Sequence, residues 1–189
     1  MSLDWTALSD GELAALSIAG RQAAFAEIVR RYRQPVYRLA RACVSEPDEA
    51  LDLVQETFVA AHQALPRYDA QRAMKAWLST IAINKCRDWA RKRTVRRFLS
   101  FALPIDSQAE AIVDDQVPID DSAADRQELD RVTRAISTLP ANLKEALVLR
   151  TIEGLSQAET AEVLGISQKA VETRLYRARA RLLEKLNAS

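Results

Sequence analysis

Within the twelve residues from Ser156 to Ser167 the chain carries a start, a stop and a restart signal for helix. Ser156 followed by Glu159 is a capping box, which predicts a helix beginning at Gln157. Gly165 stands where a left-handed residue closes that helix without a Cβ penalty. Ser167 caps the next helix, and Ile166 and Val171 occupy the two positions of a hydrophobic staple across the cap. Beyond it Val171, Leu175, Ala178 and Leu182 recur at helical spacing and face inward, which leaves Gln168, Lys169, Glu172, Thr173 and Arg177 outside. Two short helices around a glycine, the second polar in its first turns, make a helix-turn-helix. An ordinary helical hairpin with a solvated outer face fits the same pattern. The outward Arg, Lys and Gln favour nucleic acid without deciding it.

The rest of the chain repeats the helical theme. Only four glycines in 189 residues, with abundant Ala, Leu, Arg and Glu, favour helix over sheet. Ser9 and Glu12 form another capping box, opening a short helix that ends near Gly20. From Arg21 to Cys43 the stripe Phe25, Ile28, Tyr32, Val36, Leu39, Cys43 keeps helical spacing, with Pro35 kinking or splitting it. From Pro47 to Leu65 the stripe is Leu51, Val54, Phe58, Ala61, Leu65. A further helix from about Met74 to Arg93 turns Leu78, Ala82, Cys86 and Trp89 inward. From Thr94 to Ala124 no period is sustained, too long a gap for the inside of a compact domain. Beyond it "RQELDRVTRAISTLP" and "ANLKEALVLRTIEG", separated at Pro140, supply two helices ahead of the helix-turn-helix. The expected fold is all-α: a helical domain over 1–95, a flexible linker over 96–124, and a four-helix helix-turn-helix domain over 125–189.

Charge follows the same division. The chain's formal charge of +1 averages over blocks. Residues 1–105 hold 16 Lys/Arg against 11 Asp/Glu, residues 106–130 one against nine, and residues 131–189 ten against six. Two basic blocks flank a strongly acidic one. No apolar run approaches the ~20 residues that span a bilayer. "MSLDWTALSDGEL" lacks the basic n-region of a secretory signal. A soluble cytoplasmic protein is expected. Two cysteines and one histidine cannot close a four-ligand zinc site. With no nucleophile–base pair or phosphate-cradling glycine loop, neither an enzyme nor a cofactor is expected.

Trp77, Thr80, Asn84, Arg87 and Arg91 fall on one face of the Met74–Arg93 helix and lead into "RKRTVRR". An aromatic, an amide and a run of cations are what unstacked single-stranded nucleic acid requires. Trp77 equally fits a domain-edge residue packed beside Ile81. On the Pro47–Leu65 helix Asp48, Asp52, Gln55 and Glu56 lie off the apolar stripe, as a solvated face or a docking site for a basic partner. His62 beside the stripe reads as packing. Cys43 and Cys86 read as inert core thiols, since a redox pair is not expected in the cytosol.

"DEALDLVQETFVAAHQAL", "RAMKAWLSTIAINKCRDWARKR" and "LPANLKEALVLRTIEGLSQAETAEVLGISQKAVETRLYRARARL" together resemble bacterial sigma factors of the extracytoplasmic-function type, group 4 of the sigma-70 family. The resemblance spans nearly the whole chain. It implies two DNA-binding domains that direct core RNA polymerase to promoters, with contacts to the β′ clamp and the β flap, and an anti-sigma factor that holds the chain until a stress or environmental signal. Under it, Asp52, Gln55 and Glu56 in "DLVQET" dock on the clamp. Trp77, Thr80, Asn84, Arg87 and Arg91 meet the melted −10 element, with the loop Arg67–Ala73 near the flipped base. Gln168, Lys169, Glu172, Thr173, Arg174 and Arg177 meet the −35 duplex, and the acidic linker threads the polymerase's basic RNA-exit channel. Two departures stand out: relatives commonly carry a basic residue where Thr80 stands, and often Arg or Lys where Glu172 stands. A free-standing helix-turn-helix regulator and a helical adaptor without DNA contact are the rival readings.

Overall fold

The computed structural model describes residues 4–44, 46–102, 131–132 and 135–187, with the side chains of 97–102 left out. Among these residues there are helices and no strands. The N-terminal unit consists of α1 (Asp10–Ile18), α2 (Gln22–Cys43), α3 (Pro47–Ala64) and α4 (Met74–Ala102). The capping box of α1 is formed in both directions, Ser9 N–H donating to Glu12 at 2.7 Å and Glu12 N–H to Ser9 Oγ at 3.3 Å. Gly20 follows with φ +87, the left-handed turn that lets α2 begin. α2 is not split at Pro35. It packs on α1, α3 and α4 at once, and that burial outweighs the hydrogen bond lost at the proline. Its inward Ile28, Val36 and Leu39 are buried, with Phe25, Tyr32 and Cys43 partly so.

Two expectations are corrected. On α3 the buried row runs through Leu53, Val54, Thr57 and Phe58, and Leu51 is exposed. α4 continues through Ala102, nine residues beyond the Arg93 expected from periodicity. The first residues beyond Arg93, Thr94, Val95 and Arg96, are exposed. The remainder of the expected linker, and the acidic block with it, lies outside the described residues.

The C-terminal unit holds α5 (Ala141–Leu147), which runs into a π-helical turn Val148–Ile152, then α6 (Gln157–Leu164) and α7 (Gln168–Asn187). Of the expected helix before Pro140, residues 135–137 are helical and part of the remainder lies outside the described residues. The Ser156–Glu159 capping box is present, Gly165 adopts φ +66, and Ser167 Oγ accepts the Ala170 N–H at 3.2 Å. Val171 and Ala178 are fully buried, Leu175 nearly so, against α5 and α6. A helix-turn-helix results.

The N-terminal unit is tied at one carboxylate. Glu27 is buried on α2 and accepts from Arg30 at 2.6 and 2.7 Å and from Arg31 at 2.8 Å. Held this way, Arg31 reaches the carbonyls of Trp5, Thr6 and Leu8 and the Asp10 carboxylate, which fixes the segment ahead of α1. The two guanidinium groups bring the Glu27 carboxyl down from 4.5 to about 2. Because the folded state favours the ionised form, this stabilisation is complete above the ordinary value and is lost as pH falls toward about 2. Glu27→Gln should therefore unfold at lower urea than wild type at neutral pH, with the gap closing as pH is lowered through that window. Urea midpoints measured across the range check this; a gap independent of pH would show that charge on Glu27 is not what holds the segment.

Candidate functional site

Four surfaces carry the chemistry. On α3, Asp52, Gln55 and Glu56 are exposed and share a shallow hollow with Val59, Ala60, Gln63 and Lys85. Lys85 of α4 stands 3.4 Å from Glu56. Val59 is 59% exposed, so the acidic and amide groups surround an unburied apolar patch. A small hydrophobic centre with a polar rim is the composition of a partner-binding surface. His62 on the same helix sets its ring edge-on to Phe25 at 4.8 Å.

The α4 residues are in varied states. Trp77 is only 9% exposed, its ring 5.0 Å from that of Tyr68. Tyr68 in turn donates to the Arg72 carbonyl at 2.6 Å, which folds the loop before α4 over the indole. Of the two fits open for Trp77, this arrangement shows packing. Thr80 spends its hydroxyl on the Ala76 carbonyl at 3.1 Å. Asn84 is exposed, Arg91 pairs with Asp88, and Arg87 makes a two-point contact with Glu145 of α5 at 2.9 and 2.7 Å.

On α7, Gln168, Lys169, Glu172 and Arg177 are exposed, with Thr173 and Arg174 half-buried beside them. The Glu172 carboxylate is bonded to Lys169 at 2.9 Å, one turn back. Gln157 of α6 donates to the Gln168 carbonyl at 2.9 Å and pins the start of the helix. Thr173 Oγ1 donates to the Lys169 carbonyl. A rigid helix with an amide, an ammonium–carboxylate pair and two guanidinium groups on its outer side suits the edge of a duplex groove.

The fourth surface was not anticipated from the sequence. The two units meet along a seam where α4 packs on α6 and α2 packs on α5 and the π turn. Glu153, its side chain 1% exposed, is bonded by Arg38 at 3.0 and 3.2 Å and by Lys75 at 3.2 Å. Lys75 also donates to the Glu153 carbonyl. Glu145 is held by Arg87, and Arg72 pairs with Glu162 at 2.7 Å. Every acid in these contacts belongs to the C-terminal unit and every cation to the N-terminal one. Beside the Arg87–Glu145 pair a cavity of about 710 Å³ opens between the units. The signal available in sequence was slight: Glu145 and Glu153 interrupt the apolar stretch "LKEALVLRTIEGL", and a buried charge demands a partner.

Comparison with known proteins bears on the same two units. The Sigma-70 region 2 family matches residues 28–96, and the Sigma-70, region 4 family matches residues 129–182. The chain is 40% identical to the RNA polymerase sigma factor CnrH of Cupriavidus metallidurans over 182 residues, 95% of each chain. The solved complex of CnrH with the cytosolic domain of CnrY superposes with a TM-score of 0.70 at 36% identity, covering 95% of this chain and 98% of that one. The ECF RNA polymerase sigma factor SigM of Mycobacterium tuberculosis is 32% identical over 92% of this chain and 83% of its own. The sigma factor RpoE of Bartonella quintana, solved with the anti-sigma factor NepR, gives a TM-score of 0.68 at 27% identity, covering 86% and 96%.

The seam yields an expected outcome of its own. Glu153→Gln removes the one carboxylate that answers both Arg38 and Lys75. The charged hydrogen bonds lost should shift the balance toward separated units by roughly 2 kcal/mol. Small-angle scattering should then give a larger radius of gyration for the variant than for wild type at low salt. Identical radii at all salt concentrations would mean that these pairs do not hold the units together.

Proposed function

The chain belongs to the RNA polymerase sigma factors of the extracytoplasmic-function type, and from that membership we propose how its surfaces share the work. It binds core RNA polymerase and directs promoter-specific initiation of transcription, and an anti-sigma factor holds it inactive. It does this without catalytic chemistry of its own, in the cytoplasm. The observation that carries the reading is the order of the two family regions on two separate helical units, each with an outward polar face on a fixed helix.

On α3, Asp52, Gln55 and Glu56 form the docking surface for the polymerase clamp; their exposure around Val59 supports that role. On α4, Asn84, Arg87 and Arg91 meet the −10 element. Arg87 is engaged by Glu145, so this contact follows separation of the seam. Trp77 reaches an unstacked base only once the loop carrying Tyr68 swings aside. On α7, Gln168, Lys169, Glu172 and Thr173 lie in the first turns, which reach base edges, and Arg174 and Arg177 lie later, nearer the phosphates. The Glu172 carboxylate is paired with Lys169 one turn back, which supports a role beside that ammonium.

Run-off transcription with purified core polymerase over a library of promoter fragments tests the whole reading. Promoter-selective transcripts that require the chain are expected; tight sequence-specific duplex binding without polymerase would instead mark a free-standing regulator. Gln55→Ala with Glu56→Ala should weaken binding to core polymerase about tenfold. The fold should be unchanged, because the one ion pair lost is an exposed one. Co-purification at wild-type level would remove α3 from the interface.

The −35 residues should fail in two distinct ways. Arg177→Ala should weaken binding to all −35 sequences alike and reduce the salt slope by about one. Glu172→Ala should relax preference at one base position by about 1–3 kcal/mol. Selection over a randomised −35 library at two salt concentrations separates the two. An unaltered preference profile for Glu172→Ala would confine that carboxylate to its pair with Lys169.

A further inference from the structure

The loop ahead of α4 carries an arginine whose charge is answered from the other unit. Arg72 pairs with Glu162 of α6 at 2.7 Å, while its backbone carbonyl accepts the Tyr68 hydroxyl at 2.6 Å. Tyr68 in turn lies against Trp77, the ring centroids 5.0 Å apart. A continuous path thus runs from the C-terminal unit to the indole on α4. We propose that Arg72 and Glu162 are positioning residues for strand capture: their ion pair latches the loop Arg67–Ala73 over Trp77, so that the indole is covered while the units are together and opens to an unstacked base when the pair breaks. In this role, which rests on the proposed meeting of Trp77 with the melted strand, both residues act through Trp77 and touch no base themselves.

The loop holds its own shape and borrows its position. Asp69 accepts the Gln71 N–H with its carboxylate and the Arg72 N–H with its carbonyl, each at 2.9 Å. With the bond from Tyr68 to the Arg72 carbonyl, these close the loop on itself, so it moves as one piece. The Arg72 guanidinium is the part that reaches outward. Trp77 follows in the first turn of α4, its N–H donating to the Ala73 carbonyl at 3.1 Å. The helix backbone fixes the indole, so uncovering it falls to the loop.

The pair is built to let go. Arg72 and Glu162 keep 34% and 52% of their side chains in water, and an ion pair that exposed biases an equilibrium by only about two- to fivefold. The Arg72 Nε is itself buried and has no partner among the described residues. A donor held that way gains a hydrogen bond when water reaches it, which favours release. Tyr68 and Trp77 meet tilted by 50°, an aromatic contact that a stacked base replaces in kind. Because Glu162 belongs to the C-terminal unit, the latch engages only across the seam. Strand capture and separation of the units are linked through it.

The test uses the full chain with Trp5 and Trp89 replaced by phenylalanine, which leaves Trp77 as the one tryptophan emitter. Arg72→Gln and Glu162→Gln should each raise the acrylamide quenching constant of Trp77, by up to about fivefold. Acrylamide is uncharged, and the two variants change the net charge in opposite directions, so a shared rise reports the pair and not the field. Reversing the pair, Arg72→Glu with Glu162→Arg, should bring quenching back to the starting value. Unchanged quenching in both single variants, or changes of opposite sign, would overturn the latch. Where the phenylalanine replacements do not fold, fluorine NMR of the otherwise wild-type chain labelled with fluorotryptophan follows Trp77 directly; its line should shift in both variants, and an unmoved line overturns the latch equally. Both variants should also bind a labelled single-stranded oligothymidine more tightly, Arg72→Gln despite losing a cation. Quenching that rises with strand binding unchanged in both would leave the cover in place and overturn strand capture by Trp77.

Discussion

Two carboxylates of the C-terminal unit, Glu145 and Glu153, are buried where that unit meets the other, and the closed arrangement of the molecule depends on how they are answered. A buried carboxylate without a partner is too costly to persist. Here the partners, Arg38, Lys75 and Arg87, all come from the N-terminal unit and keep between 32% and 40% of their own side chains in water. That asymmetry matters. When the seam opens, acids and cations alike regain full hydration, so much of the attraction lost is returned by water. A seam built of such pairs is specific in register yet modest in net strength. An all-apolar seam of the same extent would leave an exposed greasy face on each unit after separation.

The parts legible in sequence were those set by neighbours along the chain. Both capping boxes, the left-handed Gly165, the Ser167 cap and the inward Val171, Leu175 and Ala178 stand as expected, because each depends on residues within a few turns. Periodicity failed in two instructive places. It set Leu51 in the core row of α3 when the adjacent Leu53 fills it. It also ended α4 at Arg93, because the next residues, Thr94, Val95 and Arg96, are all exposed and carry no hydrophobic period.

Long-range pairing was out of reach for a different reason. Arg87 meets Glu145 across 58 positions, Lys75 meets Glu153 across 78, and Arg38 meets Glu153 across 115. Nothing local distinguishes those cations from the other arginines and lysines of the chain.

Arg87 links the seam to the proposed work on DNA. A guanidinium that grips one carboxylate at two points has its fork occupied, and a phosphate or base edge must displace that carboxylate to be bound. Under the proposed role for α4, the seam and the −10 element therefore compete for the same side chain. Linkage makes the competition reciprocal: whatever favours the seam weakens DNA binding by α4, and DNA weakens the seam by the same factor. The outer side of α7 is under no such constraint. Lys169, Glu172 and Arg177 are exposed while the units are together, so duplex contact does not require the seam to break. Under the proposed roles the two faces thus differ in what must happen before they can act: α7 is ready in the closed arrangement, and α4 waits for Glu145 to let go.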